Sequence, residues 1–201
     1  RPPPYPLSLH PMPSGAAGGL AGFVAGAAHP TRLNMGTHAP MASDIADVAV
    51  ARRDYMDESG GRYVHVIADG GMGRSGDIVK AIACGADAVM LGAALARATD
   101  APGKGFHWGS EAHHALLPRG ERVEVGALAP LEEILLGPGR MADGTTNLIG
   151  PLRHAMATTG YSALTEFQRV EVLDAPHHTN RPPPRSHPPR RPPSRPSPDP
   201  G

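Results

Sequence analysis

The sequence has a single cysteine, Cys84, among its 201 residues. One thiol can form neither an internal disulfide framework nor a metal site built from several thiolates. Only one apolar run is long, residues 14–28 (SGAAGGLAGFVAGAA), and it is too short and too rich in glycine to span a bilayer. It also lacks the compact Leu/Val-rich segment behind a basic start that marks a secretory signal. We therefore predict a loop at residues 14–28 and a cytoplasmic protein with no membrane partner.

The chain has no excess of either charge, because 19 basic residues balance 19 acidic ones. We accordingly predict no nucleic-acid partner. Proline is scarce only in the middle, since 8 of the 24 prolines lie in residues 1–40 and 11 in residues 175–201. The last 25 residues contain no aliphatic side chain, so they cannot bury a core. We predict three parts: a Pro/Gly-rich irregular segment (1–27), a folded region (28–174) and a disordered Pro/Arg-rich tail (175–201). The chain starts with Arg1 rather than methionine, which is consistent with a fragment.

The clearest secondary-structure pattern lies in the middle of the chain. Residues 42–61 carry apolar side chains at helical spacing, which predicts an amphipathic helix. Residues 62–69 are rich in β-branched side chains and almost continuously apolar, as in a strand covered on both faces. A short helix is predicted for residues 75–86, a second buried strand for 87–92, and a helical turn for 93–99. Strand, helix and strand within about thirty residues indicate a βαβ unit with parallel strands.

The pattern is weaker after residue 103. Residues 105–126 predict an ordered loop with a short strand at 121–125. Helices are predicted for residues 131–137 and 147–160, and a short helix followed by a terminal strand for 164–173.

A glycine motif, VIADGGMGRSG, occupies residues 66–76. It matches the G-x-G-x-x-G dinucleotide fingerprint, but that fold needs an acidic residue at the end of its second strand, where this chain has VMLG. Asp87 instead stands at the start of that strand, and Asp69 ends the first one. A barrel phosphate site, made by the loops after two successive strands, fits the pattern better. For either loop alone a tight βα turn is the favoured explanation, whereas the two loops together with Asp69 favour a ligand site.

The stretch ADGGMGRSGDIVKAIACGADAVMLG (68–92) resembles the signature of the IMP dehydrogenase/GMP reductase family. PGKGFHWG (102–109) and LRHAMATTGYSALTEFQ (152–168) are similar to the IMP-dehydrogenase-like branch that lacks the inserted regulatory domain. The resemblance covers roughly residues 28–174. It implies an α/β fold, namely the C-terminal part of a TIM (β/α)8 barrel. The implied activity is NAD-dependent oxidation of IMP to XMP in guanine nucleotide biosynthesis, with GMP reductase as the alternative. Full-length relatives are expected to be homotetramers.

The resemblance also implies residues that would hold IMP or a related purine mononucleotide. Asp69 would bind the ribose diol, and backbone N–H groups of glycines would bind the 5′-phosphate. Ala93 stands where many members have Ser or Gly, which should weaken phosphate binding without abolishing it. Trp108 would contact the purine, although a core or loop-anchoring role explains it equally well. The predicted substrate-binding residues are Asp69, Gly70, Gly71, Gly92, Ala93, Trp108 and Gly109.

Family chemistry requires a cysteine thiolate that adds to the purine. Cys84 lies inside the predicted helix after the D-G-G motif, where a buried structural role is expected. In the segment that resembles the nucleophile loop, AAHPTRLNMGTHAPMAS, His29 stands at the place of the cysteine and Thr31–Arg32 are retained. His113–His114 are interpreted as loop histidines. We therefore predict no catalytic residue, no metal site and no turnover by this chain alone.

Two further interpretations stay open from the sequence. A non-catalytic purine-nucleotide-binding module would explain why Asp69 and the glycines are present without the thiol. A misread or degraded reading frame without function would explain the Pro-rich ends, and two confident strands cannot close a barrel.

Overall fold

The structure is a computed structural model that describes residue 12 and residues 14–22, 40–108 and 122–173. It contains five strands: β1 (Gly18–Ala21), β2 (His65–Asp69), β3 (Ala88–Met90), β4 (Phe106–Trp108) and β5 (Arg122–Glu124). It contains six helices: α1 (Met41–Glu58), α2 (Ser75–Ala83), α3 (Ala93–Ala96), α4 (Leu131–Leu136), α5 (Gly150–Thr159) and α6 (Leu164–Phe167). None of these helices is long and apolar enough to cross a membrane.

Strands β1, β2 and β3 form a parallel sheet in that order. Residues 65–90 are the predicted strand–helix–strand unit, so this part of the prediction is confirmed. The α/β class with a parallel sheet is therefore confirmed. The described residues do not form a closed barrel, because three parallel strands cannot close one.

Three segments differ from the sequence predictions. The loop prediction for residues 14–28 is wrong at Gly18–Ala21, which form β1 and pair with β2. The terminal strand predicted within 164–173 is also wrong, because residues 168–173 contain no strand. In the region predicted as a loop with one short strand, the structure has two strands, since β4 pairs with the predicted strand as an antiparallel partner. The division of the chain at residues 27 and 174 stays a prediction.

One face of the parallel sheet is covered by α1 and α2. Val66 and Ala68 of β2 and Ala21 of β1 point to this face and are buried. Ile45 of α1 and Ile78 of α2 are among the largest fully buried side chains of the same core. Because side chains alternate along a strand, the residues between these buried ones lie on the opposite face.

Asp87 joins distant parts of the chain at the start of β3. Its Oδ2 accepts hydrogen bonds from Arg52 Nη1 of α1 (2.6 Å) and from the Val66 N–H (2.7 Å). Its Oδ1 accepts from the Tyr63 hydroxyl (2.6 Å) and from Gln168 Nε2 (2.9 Å). Burial alone would raise the pKa of Asp87, but these hydrogen bonds and the Arg52 guanidinium together hold it below its ordinary value. We call these five residues the Asp87 cluster.

Candidate functional site

The three parallel strands end at one edge of the sheet, which we call the carboxyl edge. Asp69 is the last residue of β2 and pairs with Met90, the last residue of β3. Gly22 follows β1, and a Cβ added to it would lie 3.1 Å from the carbonyl oxygen of Asp69. Asp69 and Gly92, which comes two residues after Met90, therefore lie at the ends of adjacent parallel strands. This is the edge at which open α/β folds and barrels bind their ligands.

The loop between β2 and α2 depends on glycine. Gly70 has φ of +101° and Gly71 has φ of +72°, a region that other residues rarely adopt. A hydrogen bond from the Gly73 N–H to the Gly71 carbonyl (2.9 Å) closes the turn that follows. Helix α2 then begins at Ser75. The N-terminal end of α2, which carries partial positive charge, consequently lies just beyond the carboxyl edge.

The loop between β3 and α3 approaches a histidine closely. Gly92 immediately precedes α3, which starts at Ala93. A Cβ added to Gly92 would lie 3.1 Å from Nε2 of His107 in β4, so a larger residue would have to displace the imidazole. Sequence reasoning did not single out His107, although it lies within the PGKGFHWG motif.

The two predicted purine contacts are Trp108 and Gly109. Trp108 ends β4, and its Cζ3 lies 3.1 Å from the position of a Cβ on Gly103. This packing fits the loop-anchoring interpretation, and a purine contact stays a prediction. Gly109 and the histidines predicted for nearby loops lie outside the described residues, as does the segment containing His29, Thr31 and Arg32.

Two arginines that sequence reasoning missed lie close to one carboxylate near the carboxyl edge. The pKa of Asp143 is held below its ordinary value by hydrogen bonds from the Thr145 hydroxyl and N–H, and also by the positive charges of Arg74 and Arg97. Arg74 immediately precedes α2, and Arg97 immediately follows α3. Nε of Arg97 is buried and has no hydrogen-bond partner among the described residues.

A distant loop also reaches the start of α2. The Ser75 N–H donates a hydrogen bond to the carbonyl of Gly144 (2.8 Å). A Cβ on Gly144 would lie 3.1 Å from the Ser75 hydroxyl, so this loop packs directly against the helix start. Residues 143–146 are thereby held beside the β2–α2 loop.

Cys84 lies away from this edge. It follows α2, whose nine residues place it roughly 13 Å along the helix from Ser75 at 1.5 Å per residue. The thiol is half-buried, and burial raises its pKa, an effect that Lys80 partly offsets. A raised pKa lowers the fraction of reactive thiolate at neutral pH, so this position and environment suit a structural role.

Five of the predicted site residues lie at the carboxyl edge. The structure brings Asp69, Gly70 and Gly71 together with Gly92 and Ala93 at adjacent strand ends. Asp87, by contrast, lies at the opposite ends of the same strands, within the Asp87 cluster. Of the acidic residues flanking β2 and β3, Asp69 is thus the one at the carboxyl edge.

Comparison with known proteins identifies the family that this chain matches. The IMP dehydrogenase / GMP reductase domain matches residues 13–116. An uncharacterized oxidoreductase of Mycolicibacterium smegmatis is 49% identical over 166 residues, which are 81% of this chain and 44% of that protein. An inosine-5′-monophosphate dehydrogenase of Aquifex aeolicus is 32% identical over 154 residues, covering 69% of this chain and 30% of the relative.

A solved structure is similar as well. The crystal structure of an IMP dehydrogenase/GMP reductase-like protein from Corynebacterium glutamicum superposes with a TM-score of 0.70 at 48% identity. The match covers 84% of this chain and 45% of that one. The chain spans less than half the length of these relatives. Since the domain match alone includes just over half of its residues, the chain belongs to the IMP dehydrogenase/GMP reductase family.

Proposed function

We propose that this chain is the nucleotide-binding, C-terminal part of an IMP-dehydrogenase-like (β/α)8 barrel, and that a purine mononucleotide such as IMP binds at the carboxyl edge. The main supporting observation is that Asp69 and Gly92 lie at the ends of adjacent parallel strands. Two such loops, one carrying a carboxylate, match the two parts of a nucleoside 5′-phosphate: a sugar diol and an anion.

Each loop has a distinct role in this proposal. The Asp69 carboxylate accepts hydrogen bonds from the ribose hydroxyls, because a carboxylate has only acceptors and would repel the phosphate. Backbone N–H groups of Gly70 and Gly71 bind the phosphate from one side, and those of Gly92 and Ala93 bind it from the other. The methyl side chain of Ala93 adds no hydroxyl donor, so the backbone carries this contact.

Nearby charges support phosphate binding. Arg74 immediately precedes α2, Arg97 immediately follows α3, and the positive charges of both lower the pKa of Asp143. Since phosphate is an anion, guanidinium groups near the carboxyl edge would favour its binding, and the Asp143 carboxylate would offset part of that effect.

For the complete enzyme we propose the reaction IMP + NAD → XMP + NADH. The described residues do not fit this redox step, because Cys84 is the only thiol of the chain and lies far along α2 from the carboxyl edge. NAD is therefore proposed only as the cofactor of full-length relatives, for which a homotetramer also stays a prediction. We expect the 201-residue chain alone to form no NADH from IMP.

Calorimetric titration with IMP tests the binding proposal. Replacing Asp69 by Asn removes charged hydrogen bonds worth about 1.5–3 kcal/mol, so IMP affinity should fall roughly 10- to 100-fold. Asp57→Asn is the matched control, because Asp57 is exposed in the last turn of α1, away from the carboxyl edge. Equal IMP affinity of wild type and the Asp69→Asn variant would refute the proposed site.

Two other functions remain as alternatives. The position of Cys84 favours a non-catalytic purine-nucleotide-binding module, which would bind IMP as described and never turn it over. GMP reductase is the alternative within the family. Assays of a complete homologue separate the directions, because only the reductase consumes NADPH in the presence of GMP.

A further inference from the structure

The side chain of Arg97 contains a buried nitrogen without a partner. Its Nε is shielded from solvent and makes no hydrogen bond among the described residues. In the same part of the chain, Arg52 and Arg140 form ion pairs with carboxylates, whereas Arg97 is in no ion pair. A buried polar atom that stays unpaired costs free energy, so its presence needs an explanation. An anionic ligand would supply the acceptor that the chain does not.

The position of Arg97 relative to α3 directs its side chain toward the carboxyl edge. The Arg97 N–H donates a hydrogen bond to the carbonyl of Ala93 (3.1 Å), so the two residues lie one turn apart on the same face. α3 begins at Ala93, directly after Gly92, and runs away from the carboxyl edge. Because long side chains of a helix lean toward its N-terminal end, the guanidinium of Arg97 is expected to lean back over Ala93.

The charge of Arg97 also acts on the segment that packs against α2. After the hydrogen bonds from Thr145, the positive charge of Arg97 is among the causes that hold the pKa of Asp143 below its ordinary value. Asp143 adjoins Gly144, whose carbonyl accepts the hydrogen bond from the Ser75 N–H at the start of α2 (2.8 Å). The guanidinium therefore belongs to the side of α3 that faces the β2–α2 loop.

We propose that Arg97 binds the phosphate of the nucleotide directly, beside the backbone N–H groups of Gly92 and Ala93, and makes the site selective for nucleotides over uncharged nucleosides. This inference rests on the proposed function, in which Arg97 acts only as a nearby charge. A guanidinium presents its N–H donors in a planar fork that matches phosphate oxygens, and it stays charged at any physiological pH. Ala93 has only a methyl group, so Arg97 is the side chain that supplies a charged donor to this loop.

Calorimetric titration of the 201-residue chain with IMP, inosine and inorganic phosphate tests this role. Arg97→Gln should lower the affinity for IMP about 10- to 100-fold, as expected for the loss of a charged hydrogen bond. It should leave the affinity for inosine unchanged, because inosine carries no phosphate. Arg97→Lys should recover part of the loss, since it keeps the charge without the planar fork. Arg53→Gln is the matched control, because Arg53 is exposed on α1 and away from the carboxyl edge.

A second variant gives a readout that a purely structural role of Arg97 would not move. Adding Ala93→Ser to Arg97→Gln places a hydroxyl donor one turn before the lost guanidinium, so it should restore part of the IMP affinity. The IMP affinity of wild type should also fall more steeply with added KCl than that of Arg97→Gln, because salt screens the charged contact.

The outcomes separate this inference from the proposed function. An Arg97→Gln variant that binds IMP as tightly as wild type overturns the inference and leaves the nucleotide site standing. Equal losses of affinity for IMP and for inosine also overturn it, since Arg97 would then support the loops rather than contact phosphate. Arg97-dependent binding of inorganic phosphate without binding of IMP refutes only the purine site. A chain that binds neither ligand refutes both proposals.

Discussion

Replacing Asp87 by alanine should be among the most destabilising single changes in this chain. The substitution removes the acceptor of four hydrogen bonds, from Arg52, Tyr63, Val66 and Gln168. The Arg52 side chain is only 7% exposed, so its positive charge would stay buried without a carboxylate. An uncompensated buried charge is more costly than the ion pair is favourable.

The expected loss in unfolding free energy follows from this burial. Removing one partner of a buried ion pair costs about 3–5 kcal/mol. We expect the lower end, about 3 kcal/mol, because the Asp87 side chain is 15% exposed and Arg52 keeps its contact with the Tyr63 ring, 4.8 Å from the ring centroid. For a domain of this size, about 3 kcal/mol lowers Tm by roughly 6–12 °C.

Thermal unfolding of the chain, followed by circular dichroism, measures this loss. The control is Asp77→Ala, which removes an exposed ion pair with Lys80 at 3.2 Å. Such pairs contribute about 0–1 kcal/mol, so Tm should change by only a few degrees. If Asp87→Ala and Asp77→Ala lower Tm equally, the Asp87 cluster does not stabilise the fold as described.

The pH dependence gives the same cluster a second, independent readout. Because the folded-state pKa of Asp87 lies below its unfolded value of about 3.9, its stabilisation is present above about pH 4 and is lost as the pH falls through the folded pKa. Burial, together with the hydrogen bond to Asp87, raises the pKa of Tyr63 from 10.0 to about 12. The stabilisation from the Tyr63 proton is therefore present below pH 10 and is lost as the pH rises toward 12. Tyr63→Phe should remove this alkaline dependence, and an unchanged alkaline profile would contradict the assignment.

The remaining predictions concern α2 and the turn after α1. Gly85 has φ of +110°, and a Cβ there would lie 2.6 Å from Cβ of Ala49, so Gly85→Ala should cost about 2–4 kcal/mol in urea unfolding. Gly60 has φ of +73° with open space around it, so Gly60→Ala should cost only about 1 kcal/mol; equal losses would argue against the Ala49 contact. Because burial raises the pKa of Cys84, iodoacetamide at pH 7.5 should alkylate the native chain more slowly than the urea-unfolded chain. Cys84→Ala should retain IMP affinity, and loss of IMP binding would give the thiol a functional role.

Local patterns predict the central part of the fold well. α1, α2 and β2 carry their own signals, since helical apolar spacing and a β-branched run arise from neighbouring residues. β1 does not: Gly18–Ala21 contain two glycines and no β-branched residue, so nothing local favours a strand. β1 forms because it pairs in parallel with β2, which lies more than forty residues later in the sequence. The residues of β1 carry no pattern that predicts this pairing.

The sequence also predicts some residues of the candidate site and not others. Asp69, Gly70 and Gly71 are contiguous, and Gly92 follows the next strand, so topology alone predicts that they lie together. His107 and Arg97 reach the same region through tertiary packing of β4 and α3. Their spacing in the sequence carries no periodic signal, so only the fold reveals them. For Trp108 the sequence and the structure point to different roles. The family resemblance suggests a purine contact, whereas the packing of its side chain against Gly103 indicates a loop-anchoring role.

The hydrogen bond from Ser75 to Gly144 has a consequence for how the protein is made. The two partners are 69 residues apart, and the ribosome adds about 5–20 residues per second. The start of α2 therefore leaves the exit tunnel on the order of 3–14 s before the carbonyl that accepts its hydrogen bond. During that interval a nascent chain carries the β2–α2 loop without the segment that packs against it, so the proposed ligand affinity should develop only after residue 144 has emerged.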